Sequence, residues 1–190
     1  VDVYLGHVMK VEINLDASPW GLGGYLLING QIRGWYSTPI FAEEAKLLDI
    51  SIGESSAQQV AEALAALVAL RAWHGMWREQ QLQLSIRSDS VSALILVLKL
   101  KTKGKGTSVI AREVALDLAQ AWYEPAVVEH VPGIANVTCD ALSRRFQPGV
   151  QFRLPEVLVG VPETVLEARN WQYYKSLANP PGTQAEDSVA

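Results

Sequence analysis

The stretch "VEINLDASPWGLGGYLLINGQIRGW", residues 11 to 35, decides how this chain is read. Val11, Ile13 and Leu15 alternate with polar residues, the period of a strand with one buried face. Asn29-Gly30 separates two further strand-like runs, and a type I′ turn needs positive φ at both central positions, which this pair supplies. The chain therefore opens as a three-stranded antiparallel meander: Val8 to Leu15, Gly24 to Ile28 and Gln31 to Tyr36. Asp16 interrupts the pattern. A strand that only has to fold has no use for a carboxylate at its buried end, so this acid calls for partners elsewhere.

Working outward, residues 37 to 54 read as a connection with a short helix over Ala42 to Leu48. Ser55 or Ser56 is placed to cap a long helix reaching about Trp77. Leu82 to Arg87 is a strand, and Ser88-Asp89-Ser90 starts a helix through about Leu100. Lys101 to Thr107 reads as a loop, and Ser108 as the cap of a helix to about Tyr123. Ala126 to Val131 is a fifth strand, Pro132-Gly133 a turn, and Asn136 the cap of a last helix ending near Arg145. Strands separated by helices favour parallel pairing through right-handed crossovers. The expected fold is α/β: a mixed five-stranded sheet, three strands antiparallel and then parallel ones, with helices on both faces. Residues 1–147 are expected to form this domain. Prolines recur at 148, 155, 162, 180 and 181. Residues 148–190 therefore read as a C-terminal extension or linker, partly disordered, with a short helix over Glu163 to Leu177.

Composition narrows the function. The chain has 190 residues, 49% hydrophobic and 19% charged, a globular balance. Its single cysteine, Cys139, excludes an internal disulfide framework and suits a reducing, intracellular setting, cytoplasmic or nuclear. No secretory signal opens the sequence, and its start reads as a cut from a longer chain. The longest apolar run, Ala63 to Leu70, is too short to span a bilayer. A net charge of −4 argues against coating nucleic acid by bulk charge, but leaves room for a local basic patch beside an acidic site.

Four carboxylates stand where folding alone would not put them. Asp16 ends the first strand. Glu62 is the only charged residue between Glu54 and Arg71, in "AQQVAEALAALVALRAW". A helix so apolar is packed on most faces, and a buried lone charge needs a partner or a cation. Asp89 follows the apolar strand "LQLSIRSD" at its carboxyl end, where ligand sites gather in such sheets. Asp140 is expected in the first turn of the last helix. Each has a plain structural role available: a turn, a solvated stripe, an N-cap, a helix-dipole partner. Taken together, two strand-end acids, one on the first long helix and one on the last can converge in this topology. Converging carboxylates repel unless divalent cations neutralise them, and hard oxygen donors suit Mg²⁺ or Mn²⁺. His130, at the end of the fifth strand, is a candidate proton shuttle.

These residues resemble the ribonuclease H family, most closely the ribonuclease H domain of gypsy-class LTR retroelement polyproteins. "LDASPWGLGGYL" is similar to that group's first motif, "AEALAALVALRAW" to its Glu-bearing helix and "IRSDSVSAL" to its third motif. "VEHVPGIANVTCDALSRR" matches the most specific one, of the form H-x-P-G-x-x-N-x-x-x-D-A-L-S-R. The likeness covers about residues 8 to 146. It implies metal-dependent endonucleolytic hydrolysis of the RNA strand of an RNA–DNA hybrid. Asp16, Glu62, Asp89 and Asp140 would hold two Mg²⁺ ions, Mn²⁺ substituting, and His130 matches the family's mobile histidine. It also implies a reverse transcriptase domain of the same polyprotein as partner, no membrane and no small-molecule cofactor. Glu54 rivals Glu62; Glu62 is preferred because it lies inside the apolar helix.

Lys99, Lys101, Lys103 and Lys105, with Arg112 just beyond, make a basic patch suited to phosphates, and Arg144 and Arg145 lie close to the last acid. The six tryptophans read mostly as core rather than as base-stacking platforms. Two rival functions share this fold. One is a non-catalytic module that binds nucleic acid or braces a polymerase, which has no reason to keep four repelling acids. The other is an integrase-type strand transferase, whose last acid is usually Glu, unlike "CDALSR".

Overall fold

The computed structural model describes residues 8–77, 82–89, 95, 104–121, 126–128 and 133–178. Three strands open the chain: β1 (Met9–Ala17), β2 (Gly21–Ile28) and β3 (Gln31–Pro39). β4 (Leu82–Arg87) and β5 (Ala126–Val128) complete one sheet in the order β3-β2-β1-β4-β5. β1–β2 and β2–β3 are antiparallel, while β1–β4 and β4–β5 are parallel. Asn29 and Gly30 take φ of 50° and 80°, as the hairpin requires. All three meander strands run further than their apolar patterns suggest, because Asp16, Gly21 and Ser37 pair in register on the ladder.

Among the described residues, four helices lie against the sheet and each other: α1 (Ala42–Leu48), α2 (Gln58–Trp73), α3 (Lys105–Ala119) and α4 (Gly133–Ser143), with a short α5 (Lys175–Ala178) near the end. Val11, Ile13, Leu15 and Ala17 of β1 join Leu22 and Leu26 of β2 in the main core with α2 and α3. The opposite sheet face carries Tyr25 and Trp35, packed with Cys139 and Leu142 of α4. α2 is buried almost all round, as its composition demands.

Three helix starts differ from expectation. Ser55 and Ser56 sit in a 3₁₀ turn before α2 and make no cap to it, and α2 gives way to a second such turn over His74–Met76. α3 starts at Lys105 behind Gly104, not at Ser108, whose N–H already donates to the Gly104 carbonyl. Lys105 is therefore helical rather than in a loop. α4 starts at Gly133 rather than after Asn136, because its buried stripe of Ala135, Thr138, Cys139 and Leu142 begins that early. Asp140 is consequently in the second half of the helix, not in its first turn. The expected helix after Asp89 and the strand beyond Val128 lie outside the described residues, apart from residue 95.

Residues 150–178, expected as an extension or linker, wrap the domain as a strap. A helix over Glu163 to Leu177 is not formed; 3₁₀ turns at Glu156–Leu158 and Trp171–Tyr173 precede the short α5. Trp35 donates from its ring to the Val161 carbonyl at 3.0 Å, and Trp73 to Thr164 Oγ1 at 3.0 Å. Arg169 is buried against Glu44, with contacts of 2.5 and 2.8 Å, and Tyr174 donates its hydroxyl to the same carboxylate at 2.7 Å. A charge this deep is tolerable only when fully partnered, and here Thr38 and the Pro39 carbonyl also accept from Arg169. Arg71 grips the strap a second time, bonding Glu113, Asp117 and the Tyr173 carbonyl. No helix among the described residues is long and apolar enough to cross a membrane.

Candidate active site

Asp16 belongs to the sheet face covered by α4, and it is 8% exposed. On that face it forms a row across three strands, Asp16 opposite Gly23 and Gly23 opposite Ser37. The last turn of α4 settles onto this row. A Cβ at Gly23 would fall 2.3 Å from Leu142 Cβ, so only glycine lets the helix this close. At one end of the row Ser37 Oγ donates to the Leu142 carbonyl at 2.7 Å. From the β1–β2 turn Ser18 Oγ donates to the Ser143 carbonyl at 2.8 Å. Two carbonyls at the helix end thus gain partners from the sheet, the Leu142 carbonyl in addition to a long bond from the Arg145 N–H at 3.4 Å. Ser143 Oγ in turn lies 2.9 Å from Asp16 Oδ2 and 3.0 Å from the Asp140 carbonyl.

The other acids surround this row. Asp89 is exposed, two residues past the end of β4, which runs parallel to β1. Asp140 projects from α4, half-exposed, with Arg144 Nε 2.7 Å from its Oδ1. Burial pushes the Asp16 carboxyl up to about 6 against an opposing hydrogen bond from Ser143, and the negative charges of Asp89 and Asp140 push it further in the same direction. The same burial, with Asp16 and Asp89 nearby, holds the Cys139 thiol well above its ordinary range. The charges of Asp89 and Asp140 are therefore both felt at Asp16.

Glu62 comes from the other side of the sheet. Gln58, one turn earlier on α2, donates to Glu62 Oε1 at 3.1 Å and to the Ala17 carbonyl at 2.7 Å, tying this carboxylate to the end of β1. Its rival Glu54 is exposed ahead of the 3₁₀ turn, where Ser56 Oγ donates to it. Among the described residues no three His, Cys, Asp or Glu side chains stand close enough to hold a metal ion as they are placed. The chemistry of the donor set nevertheless fits a hard divalent cation: the groups are carboxylates, and burial, with the added charges of Asp89 and Asp140, makes the ionised form of Asp16 unfavourable without one.

Lys105 and Arg112 are exposed seven residues apart on α3, hence on one face two turns apart. Arg144 is exposed and pairs with Asp140. His130, Lys99, Lys101 and Lys103 lie outside the described residues. Sequence reasoning missed Ser143 and Gln58, which bond the acids, and Ser18 and Ser37, which hold the end of α4. It also missed the Glu44–Arg169 pair.

No protein-family model matches the chain, and no curated protein matches its sequence. Among solved structures it is similar to LC11-RNase H1, isolated from compost by a metagenomic approach. That likeness has 16% identity and a TM-score of 0.50, and covers 73% of this chain and 94% of the other. The chain has an RNase H-like fold.

Proposed function

We propose that this domain is a metal-dependent endonuclease that hydrolyses the RNA strand of RNA–DNA hybrids, working as the ribonuclease H domain of a retroelement polyprotein beside its reverse transcriptase. The observation that carries the reading is that Asp16, buried at the end of β1, feels the charges of Asp89, just past the end of the parallel β4, and of Asp140 on α4, on an RNase H-like fold. Asp16, Glu62, Asp89 and Asp140 would hold two Mg²⁺ ions, or Mn²⁺ in their place. Bound there, the ions would supply an acidified water and neutralise charge developing on the phosphate.

The chain's own groups do the positioning. Ser143 holds one Asp16 oxygen, the Ala17 backbone adds a further hydrogen bond to the carboxylate, and Gln58 fixes the reach of Glu62. Lys105, Arg112 and Arg144 offer positive charge to the hybrid backbone, with Lys99, Lys101 and Lys103 extending the patch. His130 is assigned proton transfer at the leaving oxygen.

Cleavage of an end-labelled RNA–DNA hybrid with Mg²⁺ or Mn²⁺ tests this, with Asp89→Asn as control. RNA-strand cutting that needs the metal and disappears in Asp89→Asn is expected. Hybrid binding with no cutting under either metal would instead identify a non-catalytic module.

A further inference from the structure

The strap carries a feature that neither its packing nor the carboxylates use. Trp171 is 55% exposed, whereas Trp35, Trp73 and Trp77 are buried. Its backbone is pinned on both sides. Arg169 is locked to Glu44, Asn170 caps the turn by accepting from the Gln172 N–H at 2.9 Å, and Tyr174 is fully buried. A strap fixed this firmly that still turns an indole outward is presenting it.

The indole borders a groove of about 670 Å³ lined by Glu43, Lys46, Leu47, Lys105, Trp171 and Leu177. Lys46 and Lys105 are exposed, and among the described residues neither is ion-paired. They come from different elements brought together by close packing: a Cβ at Gly106 would fall 2.4 Å from the Leu48 carbonyl oxygen, so α3 begins against the end of α1. Among the described lining residues, only Glu43 opposes their charge. The groove also lies toward the end of the sheet that carries the acids. β3 shares the direction of β1, and α1 follows directly from the end of β3.

We infer that this groove binds single-stranded nucleic acid, a base stacking on Trp171 over Leu47 and Leu177 while Lys46 and Lys105 take the flanking phosphates. An exposed aromatic beside unpaired cations is the arrangement that grips a strand without reading its sequence. An apolar peptide would leave both ammonium groups without partners. The site shares Lys105 with the patch proposed for the hybrid backbone, and beside it would hold a single-stranded stretch flanking a hybrid.

The test is titration of the full chain with a fluorescein-labelled ten-nucleotide oligothymidylate in EDTA, read by anisotropy and by tryptophan emission. Binding is expected to quench emission, and Trp171→Ala to abolish that quenching and weaken binding about tenfold, with Trp171→Phe restoring most of the affinity. Lys46→Gln with Lys105→Gln is expected to lower the slope of log affinity against log salt by about 1.4, two phosphates' worth for a single strand. Affinity unchanged in Trp171→Ala, or no binding at low salt, overturns the inference. A concentration-dependent dimer in sedimentation, lost in Trp171→Ala while oligothymidylate binding stays, would assign the groove to a second copy of the chain and also overturn it. No hybrid or metal enters this assay, so its failure and that of the nuclease reading are separately visible.

Discussion

The Ser143 hydroxyl stands 2.9 Å from Asp16 Oδ2, joining the last turn of α4 to the buried end of β1 across 127 residues of sequence. The hydroxyl has one proton and two acceptors within reach, the second being the Asp140 carbonyl at 3.0 Å. When Asp16 is ionised the stronger acceptor is the carboxylate. Ser143 is therefore a positioning residue for the proposed site. Ser143→Ala should weaken Mn²⁺ binding by roughly 10- to 100-fold, the usual effect of removing a group that orients a metal-binding carboxylate. Electron paramagnetic resonance titration of free Mn²⁺ measures this without any turnover; an unchanged affinity would show that Asp16 is held by its strand alone.

Gly23 sets how closely α4 can approach. Its missing Cβ is replaced by Leu142, whose own Cβ and backbone leave no room to yield. Gly23→Ala should cost about 1–3 kcal/mol through overpacking and, by lifting the helix that carries Asp140 and Ser143, should reduce hybrid cleavage more than it reduces the folded fraction at assay temperature. Thermal melts run beside cleavage rates separate the two effects. Activity that simply follows the folded fraction would remove Gly23 from the site argument.

Much of the fold is legible because its signals are local. Alternation in β1, the Asn29-Gly30 turn, α1 and β4 are each written within a few residues. Asp16 stands out for a related reason: a carboxylate at a buried strand end conflicts with its surroundings. The strap is not legible, since its contacts pair Arg169 with Glu44, 125 residues away, and nothing local distinguishes it from a proline-rich linker. Nor is Ser143, which looks like any serine at a helix end. One signal was available: Gly21 and Gly23 fall on the same strand face, and two such gaps on one face mark a place where another backbone comes close.

Arg169 gives the strap a measurable role. Arg169→Ala leaves Glu44 buried with only Tyr174 and the Phe41 N–H against it. Breaking one side of a buried pair should cost about 3–5 kcal/mol, while Arg169→Met together with Glu44→Leu should recover much of that. Urea unfolding midpoints of the single and double variants give the comparison. A loss below about 1 kcal/mol, the size of an exposed pair, would mean that the strap is loosely held.

The carboxyl of Asp16 would tie stability to a bound cation. Folding raises it from an ordinary 3.8 to about 6, through burial first, opposed by the Ser143 hydrogen bond, and then through the charges of Asp89 and Asp140. A carboxyl raised by folding binds its proton more tightly in the folded state, so its contribution is most favourable below about pH 3.8 and is lost as the pH rises through 6. Above that, ionised Asp16 costs about 3 kcal/mol in the absence of a cation. In EDTA, Asp16→Asn should therefore melt at nearly the same temperature as the parent near pH 4 and several degrees higher at pH 7.5, while abolishing cleavage. Mg²⁺ at pH 7.5 should raise the melting temperature of the parent and leave Asp16→Asn unmoved. Calorimetric melts across this pH range decide the matter. A difference between the two proteins that does not change with pH would show that Asp16 is ionised without strain, and the case for a cation held by these acids would lose its electrostatic basis.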